Sequence, residues 1–161
     1  AVEINPNLAE SHKSIAYLYK KKGQISESVS SFEKATTFHP KDTNLLFDLA
    51  SLYESNGLQD NAILTYKKLL SIDPAHKGAK NSLAMLYNSK GVSLALQGKT
   101  DDAIAAYKDA LQNKEDFKEA YNNLGAAYVD KEMIDDAIAA YKKALEISPN
   151  FGEVYNNLGV D

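Results

Sequence analysis

The chain has 161 residues, of which 44% are apolar, no cysteine, and a formal net charge of −4. It therefore has no disulfide framework or thiolate site, and its acidic balance argues against nucleic acid as the main partner. No apolar run approaches the ~20 residues that cross a bilayer, and the N-terminus lacks the basic region and apolar core of a secretion signal. We therefore expect a cytoplasmic protein without a membrane span.

Two short segments recur at a fixed distance. DDAIAAYK occurs at 101–108 and 135–142, and YNNLG occurs at 121–125 and 155–159, in both cases 34 residues apart. Three of the four prolines, at positions 6, 40 and 74, have the same separation. A fixed period of this length is typical of repeat proteins, in which each unit buries its apolar face against its neighbours.

The period divides the chain into helical hairpins. In the first full unit, apolar residues at helical spacing stop at Gly23, and a second stripe follows from Ile25 before Pro40. This pattern predicts two antiparallel helices joined by a turn. The predicted units are 1–8 (the end of a preceding repeat), 9–42, 43–76, 77–117, 118–151 and 152–161 (the first helix of an incomplete repeat).

Small residues at recurring positions predict close contact between helices. Ala16 and Ala50 lie in first helices and Ala62 in a second helix, where they let two backbones approach. Tyr53 and Tyr66 then fill the space on either side. A large side chain in place of such an alanine is expected to overpack the contact and cost roughly 1–3 kcal/mol.

The third unit contains seven extra residues, 77–83. Seven residues turn a helix through about 700°, so the insertion can lengthen a helix by two turns without rotating its apolar stripe. Asp73 and Pro74 are residue types typical of an N-cap and of the first helical position. We therefore predict one long first helix over 75–97, and a surface loop is the alternative.

Residues that could carry chemistry do not form a reactive set. The three histidines fall at different phases of the repeat, so we predict no metal site: His12, His39 and His76. The acidic pairs at 101–102 and 135–136 fall at the starts of second helices, where negative charge is favourable. Gly91 and Gly125 lie inside helical patterns rather than after a strand, so they form no phosphate loop. The sequence predicts no catalytic residue and no cofactor.

The recurring residues resemble the tetratricopeptide repeat family. The fourth unit matches the family pattern in full, at Tyr121, Leu124, Gly125, Tyr128, Ala137, Tyr141, Ala144 and Pro149. The first unit departs from it at His12 and Ser28, and the third at Lys90. The resemblance implies an all-α, right-handed superhelical solenoid of antiparallel helix pairs, with about four full hairpins and partial repeats at both ends. In this family the first helices line a concave groove that binds peptides or protein surfaces.

The family geometry implies which residues line that groove. They are Lys13, Tyr17, Lys20, Asn44, Phe47, Ser51, Met85, Asn88, Val92, Asn122 and Ala126. We expect an exposed Phe47 beside Met85 and Val92 to form an apolar patch that a partner covers. The alternative is that crowding between repeats hides these side chains. The carboxylate clamp of chaperone-binding members is not expected, because Tyr17 and Asp48 stand where that clamp has asparagines.

These features predict a non-catalytic protein–protein interaction scaffold. The alternative is the repeat arm of a larger enzyme such as a glycosyltransferase, because Asn123 and Asn157 match the asparagine rows of such arms. The chain ends predict self-association through an apolar face of the last helix, against residues 1–8. That face is expected to hold Val154, Tyr155, Leu158 and Gly159.

Overall fold

The computed structural model describes residues 6–158, which form nine α-helices and no β-strand. In chain order they are α1 (Pro6–Lys21), α2 (Ile25–Phe38), α3 (Thr43–Ser55), α4 (Gln59–Ile72), α5 (Lys77–Leu96), α6 (Thr100–Asn113), α7 (Lys118–Asp130), α8 (Ile134–Ile147) and α9 (Gly152–Leu158). Odd-numbered helices are the first helices of hairpins, and even-numbered helices are the second. The predicted all-α fold of helix pairs is confirmed.

The chain divides into two compact units, residues 1–79 and 80–161. In the first unit, α1 packs against α2, α2 against α3, and α3 against α4. In the second unit, α6 packs against α7, α7 packs against α8, and α9 contacts both α7 and α8. These helices are therefore held mainly by their neighbours in sequence, as expected for a repeat protein.

The core of the first unit is built from alternating small and large residues. Ala16 and Ala50 on the first helices, and Phe32 and Tyr66 on the second helices, are fully buried. The small residues leave room between the backbones, and the aromatic rings fill it. Each buried ring contributes roughly 1.5–3 kcal/mol relative to an exposed one.

The second unit uses glycine at the equivalent positions of its first helices. A Cβ atom placed on Gly91 would lie 2.5 Å from the Tyr107 ring, and one on Gly125 would lie 2.6 Å from the Tyr141 ring. Both tyrosines belong to one buried cluster that reaches as far as Val154 of α9. The rings therefore pack directly onto the backbone of the first helices.

The turns inside the hairpins share one backbone arrangement. In the first turn, Gly23 N–H donates to the Lys20 carbonyl and Gln24 N–H donates to the Tyr19 carbonyl, which satisfies two carbonyls at the end of α1. Gly23 adopts a φ of 74°, in the left-handed region that favours glycine. Glu132 occupies the corresponding position of the last hairpin with a φ of 59°. Glu132 therefore departs from the repeat pattern in residue type but not in turn geometry, and a non-glycine residue in this conformation is strained.

The long first helix predicted over 75–97 is present as α5, which has 20 residues against the 13 of α7. The predicted start of this helix is wrong. Asp73 closes α4, because its N–H donates to the Leu69 carbonyl, and its Oδ1 accepts from Ala75 N–H at 3.1 Å within a turn. His76 provides the cap instead, since its Nδ1 accepts from Ala79 N–H at 3.1 Å.

The last helix also differs from the prediction. Val154 is fully buried in the cluster of the second unit, because it occupies the repeat position of Ala120 and faces the preceding hairpin. The expectation that Val154 lies on an open face is therefore wrong. Tyr155 is exposed and donates its hydroxyl to the Pro149 carbonyl at 3.0 Å. The side chains of Leu158 and Gly159, and most of segment 1–8, lie outside the described residues.

Candidate functional site

The residues predicted to line a groove lie on α1, α3, α5 and α7, and we call them the first-helix face. In the first unit this face consists of Lys13, Tyr17, Lys20, Asn44, Phe47 and Ser51. In the second unit it consists of Met85, Asn88, Val92, Asn122 and Ala126.

Tyr17 connects α1 to α3. Its hydroxyl donates to Asp48 Oδ2, and its ring meets the Phe32 ring edge-on with centroids 5.2 Å apart. Burial, followed by the hydrogen bond and the charge of Asp48, raises the pKa of Tyr17 to about 12. One side of the ring remains exposed. A ligand at this position would therefore meet the ring, while the hydroxyl is already used within the unit.

Phe47 is half-buried, so the expected exposed phenylalanine is not found. Its ring lies 5.7 Å from the Tyr66 ring and 5.1 Å from the His76 ring, measured between centroids. The backbone of Gly78 also approaches closely, because a Cβ atom there would lie 3.1 Å from the Phe47 ring. Phe47 therefore packs within the first unit and presents only part of its surface.

Ser51 belongs to a hydroxyl network on the same unit. Its Oγ lies 3.1 Å from the Tyr66 hydroxyl, and that hydroxyl donates to Glu54 Oε2 at 2.9 Å. The charge-assisted bond to a carboxylate fixes the direction of the Tyr66 hydroxyl. The polar atoms beside Phe47 are thus held in place by partners on α3.

The remaining predicted residues of the first unit are polar and accessible. Lys13 pairs with Glu10 on its own helix, with Nζ 3.8 Å from Oε1. Lys20 and Asn44 are exposed. An exposed ion pair at this distance contributes at most about 1 kcal/mol. Lys13 is therefore able to exchange Glu10 for an acidic ligand at low cost.

Amide pairs connect the first helices of the second unit. Asn123 Nδ2 donates to Asn88 Oδ1 at 2.9 Å, and Asn157 Nδ2 donates to Asn122 Oδ1 at 2.9 Å. Asn122 Nδ2 also donates to Glu153 Oε2 at 3.5 Å. Each pair spans 35 residues, one period plus one. The side chain of Asn122 is buried by these contacts, so this predicted site residue serves the link between α7 and α9.

The apolar part of the second unit's face remains open. Met85 and Val92 on α5 are exposed, and Ala126 on α7 is half-buried. These side chains lie on the helices that the amide pair between Asn88 and Asn123 holds together. This face therefore combines fixed polar groups with exposed apolar groups.

The structure connects the predicted residues through positions that sequence reasoning left out of the site. Asp48 receives Tyr17, and Asn123 and Asn157 pair with two predicted asparagines. The sequence could have pointed to two of these positions, because Asp48 and Asn123 each come directly after a residue predicted to line the groove. The period of the repeat identified which face of the first helices recurs. It did not identify which side chains form hydrogen bonds between one first helix and the next.

The groups considered for catalysis or metal binding are dispersed. Asp101 and Asp102 lie in the first turn of α6, and Asp135 and Asp136 lie in the first turn of α8. Both acidic pairs are therefore at the starts of second helices, as predicted. Among residues 6–158, no group of three or more acidic or histidine side chains could hold a metal ion. None of the helices in this range has the length and hydropathy that a bilayer crossing requires.

Consecutive helix pairs with polar and aromatic side chains along their first helices define the class of helical-repeat, protein-interaction scaffolds. Family models described as tetratricopeptide repeat match residues 9–42, 43–76 and 119–151, and one described as TPR repeat matches residues 91–132. The chain belongs to the tetratricopeptide repeat family.

Solved structures with the same fold include MamA, with 24% identity over 92% of this chain and 83% of that chain, at a TM-score of 0.58. YrrB, described as a TPR protein with an unusual peptide-binding site, has 19% identity over 94% of this chain and 75% of its own, also at 0.58. A tetratricopeptide repeat protein from Parabacteroides merdae has 20% identity over 93% of this chain and 57% of its own, at 0.60. No curated protein matches the chain. Identities this low support the shared fold alone.

Proposed function

We propose that the chain is a non-catalytic scaffold that binds a peptide or protein segment along the first-helix face. The observation that carries this proposal is that side chains on the face are held in position by partners within each unit. Tyr17 is fixed by Asp48, and Asn88 is fixed by Asn123. A surface whose groups are already ordered loses little conformational freedom on binding, so more of its contact energy appears as affinity.

The two units differ in the charge that accompanies this face. The first unit carries exposed lysines at the end of α1, at Lys20 and Lys21, together with Lys13. The second unit carries exposed carboxylates at Glu119, Asp130 and Glu153. We therefore propose that the first unit binds acidic segments and the second unit binds basic segments, each with an apolar centre. Such charges mainly set orientation and association rate, while the apolar contacts supply most of the affinity.

A titration with two synthetic decapeptides tests this assignment. The peptides share one apolar centre and differ in flanks of glutamate or lysine, and the isotope-labelled chain is followed by amide chemical shifts. We expect the glutamate peptide to perturb α1 and α3, and the lysine peptide to perturb α7 and α9. Shifts confined to the second helices, or no shifts with either peptide, would show that the first-helix face is not the binding surface.

Two substitutions with matched controls sharpen the test. Met85→Ser should weaken binding to the second unit by roughly 1 kcal/mol or more, as expected for an apolar anchor, whereas Leu64→Ser, at an exposed position on a second helix, should not. Lys20→Glu should slow binding of the glutamate peptide, whereas Lys34→Glu on α2 should have little effect. Phe47→Ala is a weaker choice, because Phe47 packs on Tyr66 and His76 and its loss also lowers stability.

A further inference from the structure

The hairpins share one turn geometry but differ in the residue just before the left-handed position. That residue is, in chain order, Lys22, Asn56, Gln97 or Lys131. In each turn the next two backbone N–H groups donate to carbonyls of the preceding first helix. The turn therefore forms with several residue types, and asparagine is not needed to build it. Asn56 is also the only asparagine of the sequence that glycine follows directly.

Asn56 and Gly57 are accessible to water. Both residues are exposed, and Gly57 adopts a φ of 73°. Among the described residues, no atom beyond those of its chain neighbours lies within 4 Å of the place where a Cβ would stand on Gly57. Because glycine has no side chain, its backbone nitrogen is not shielded from the side-chain carbonyl carbon of Asn56. A lysine in place of Asn56 offers no carbonyl for such an attack, and a glutamine would need a larger ring.

Two hydrogen bonds restrain these groups in the folded turn. Asn56 Nδ2 donates to the Leu52 carbonyl at 2.7 Å, and Gly57 N–H donates to the Glu54 carbonyl at 3.1 Å. The Gly57 nitrogen must lose its proton before it attacks, and the Asn56 amide must turn towards it, so both bonds have to open. Helix ends open more readily than helix centres. The reaction is therefore slow in the folded chain and proceeds from turns that have opened.

We propose that Asn56 is a site of spontaneous modification, at which the Gly57 nitrogen closes a cyclic imide on the Asn56 side chain and water converts it to aspartate or isoaspartate. The Gly57 nitrogen gives its proton to solvent hydroxide and bonds to the Asn56 side-chain carbon. The bond from that carbon to Nδ2 then breaks, and ammonia leaves. Water opens the imide at either carbonyl. Opening at the side-chain carbonyl gives aspartate, and opening at the backbone carbonyl gives isoaspartate.

Both products are expected to loosen the turn between α3 and α4. Aspartate places a negative charge at the C-terminus of α3, where the helix dipole is also negative, close in sequence to Glu54. It also lacks the amide donor that now satisfies the Leu52 carbonyl. Isoaspartate lengthens the backbone, which disturbs the bonds from the turn to the Tyr53 and Glu54 carbonyls. The change falls on the first unit alone, because the second unit has no asparagine followed by glycine.

Peptide mapping by mass spectrometry tests the site directly. The folded chain is incubated in mildly alkaline buffer made with heavy-oxygen water, and tryptic peptides 42–67 and 109–114 are then sequenced. Asn56 should give aspartate and isoaspartate, each with a heavy oxygen from the solvent. Asn113 is the matched control, because its Nδ2 also donates to a carbonyl four residues back, at 2.8 Å, but lysine follows it. It should convert at least about tenfold more slowly, since a side chain shields the next nitrogen.

The restraint by the turn is tested in urea. Unfolding removes the bonds from Asn56 to Leu52 and from Gly57 to Glu54, so conversion of Asn56 should be roughly tenfold faster in the unfolded chain at the same pH. Asn61 lies in the same tryptic peptide, is exposed, and precedes alanine. It serves as the internal reference for exposure, and we expect little conversion there in either state.

Two variants connect the modification to stability. Asn56→Asp copies one product and should raise the unfolding equilibrium constant roughly fivefold, as expected for a lost hydrogen bond. Asn56→Lys carries the residue found in two of the other turns and cannot form the imide. The wild-type chain should lose stability during incubation and approach the Asn56→Asp variant. The Asn56→Lys variant, shown by circular dichroism to be folded, should not change.

Three results would overturn the proposal. The first is conversion of Asn56 no faster than that of Asn113, or equally fast in folded and unfolded chains. The second is aspartate at Asn56 without isoaspartate, which would indicate direct hydrolysis rather than attack by the Gly57 nitrogen. The third is an Asn56→Lys variant that loses stability during incubation as fast as the wild-type chain, which would place the change elsewhere.

Discussion

The two units use different residues at the contact between the two helices of a hairpin. Where a first helix meets the aromatic ring of its partner, the first unit uses alanine with Phe32 and Tyr66, and the second unit uses glycine with Tyr107 and Tyr141. In the second unit the rings lie too close to the backbone for a Cβ atom. The same repeat position therefore allows two distances between the aromatic ring and the backbone of the first helix. Alanine at this position keeps the ring farther away, and glycine lets it approach the backbone.

The units also differ in how their first helices are joined. The first unit uses a phenol–carboxylate bond between Tyr17 and Asp48, and the second uses amide pairs, such as Asn123 with Asn88. The first type changes with ionisation, whereas the amide pairs carry no titratable group. The difference predicts that alkaline pH breaks the link between first helices in the first unit and leaves the amide links of the second unit intact.

The largest expected effect is that of Gly125→Ala. Alanine favours a helix over glycine by up to about 1 kcal/mol, but the added Cβ would lie 2.6 Å from the buried Tyr141 ring. Overpacking of this kind costs roughly 1–3 kcal/mol, so we expect a net loss of stability in urea unfolding. Gly152→Ala, where no atom lies within 4 Å of the new Cβ, is the control. A stabilised Gly125→Ala protein would show that the ring moves away freely.

Removal of a phenol hydroxyl should affect the first unit more than the second. The Tyr66 hydroxyl contacts Ser51 and donates to Glu54, so Tyr66→Phe should cost about 0.5–1.5 kcal/mol. Tyr107→Phe should cost less, because Val92 and Ala95 stand at the equivalent positions and offer no polar side chain. Unfolding curves of the two variants measure the difference, and equal losses would contradict it.

Alkaline pH should weaken the first unit through Tyr53. Its hydroxyl donates to Glu33 Oε1 at 2.5 Å, and burial followed by this bond raises the pKa of Tyr53 to about 12. An unfolded tyrosine ionises near pH 10. The unfolded chain therefore loses this proton first, and stability falls as pH rises between about 10 and 12. Tyr53→Phe should reduce the slope of stability against pH in that window. An unchanged slope would mean that Tyr53 titrates alike in both states.

The smallest expected effect concerns the ion pair between Lys131 and Asp101. Both side chains are exposed, so Asp101→Asn should lower stability by less than about 1 kcal/mol. The loss should shrink in high salt, because exposed charges are screened. The first unit has Asn56 and Ser26 at the equivalent positions, and Ser26→Ala should show no salt dependence there. A loss that salt does not change would point to a cause other than charge.

Much of the fold could be predicted because it depends on local pattern. The period of 34 residues located the hairpins, and the insertion of seven residues correctly predicted a longer α5, because seven residues nearly complete two helical turns. The start of α5 was missed because Asp73 and His76 are both able to accept a backbone N–H. Only the path of the turn decides which of them reaches the helix.

The candidate site was less predictable from the same sequence. By itself the sequence determined which face of the first helices recurs, because side chains three and four residues apart share one side of a helix. Only the tertiary structure decided that Phe47 is half-buried against Tyr66 and His76, that Asn122 serves a link to α9, and that Val154 faces inward. These outcomes depend on distances of a few ångströms between helices. Such distances follow from the packing of whole hairpins, which a period along the chain does not encode.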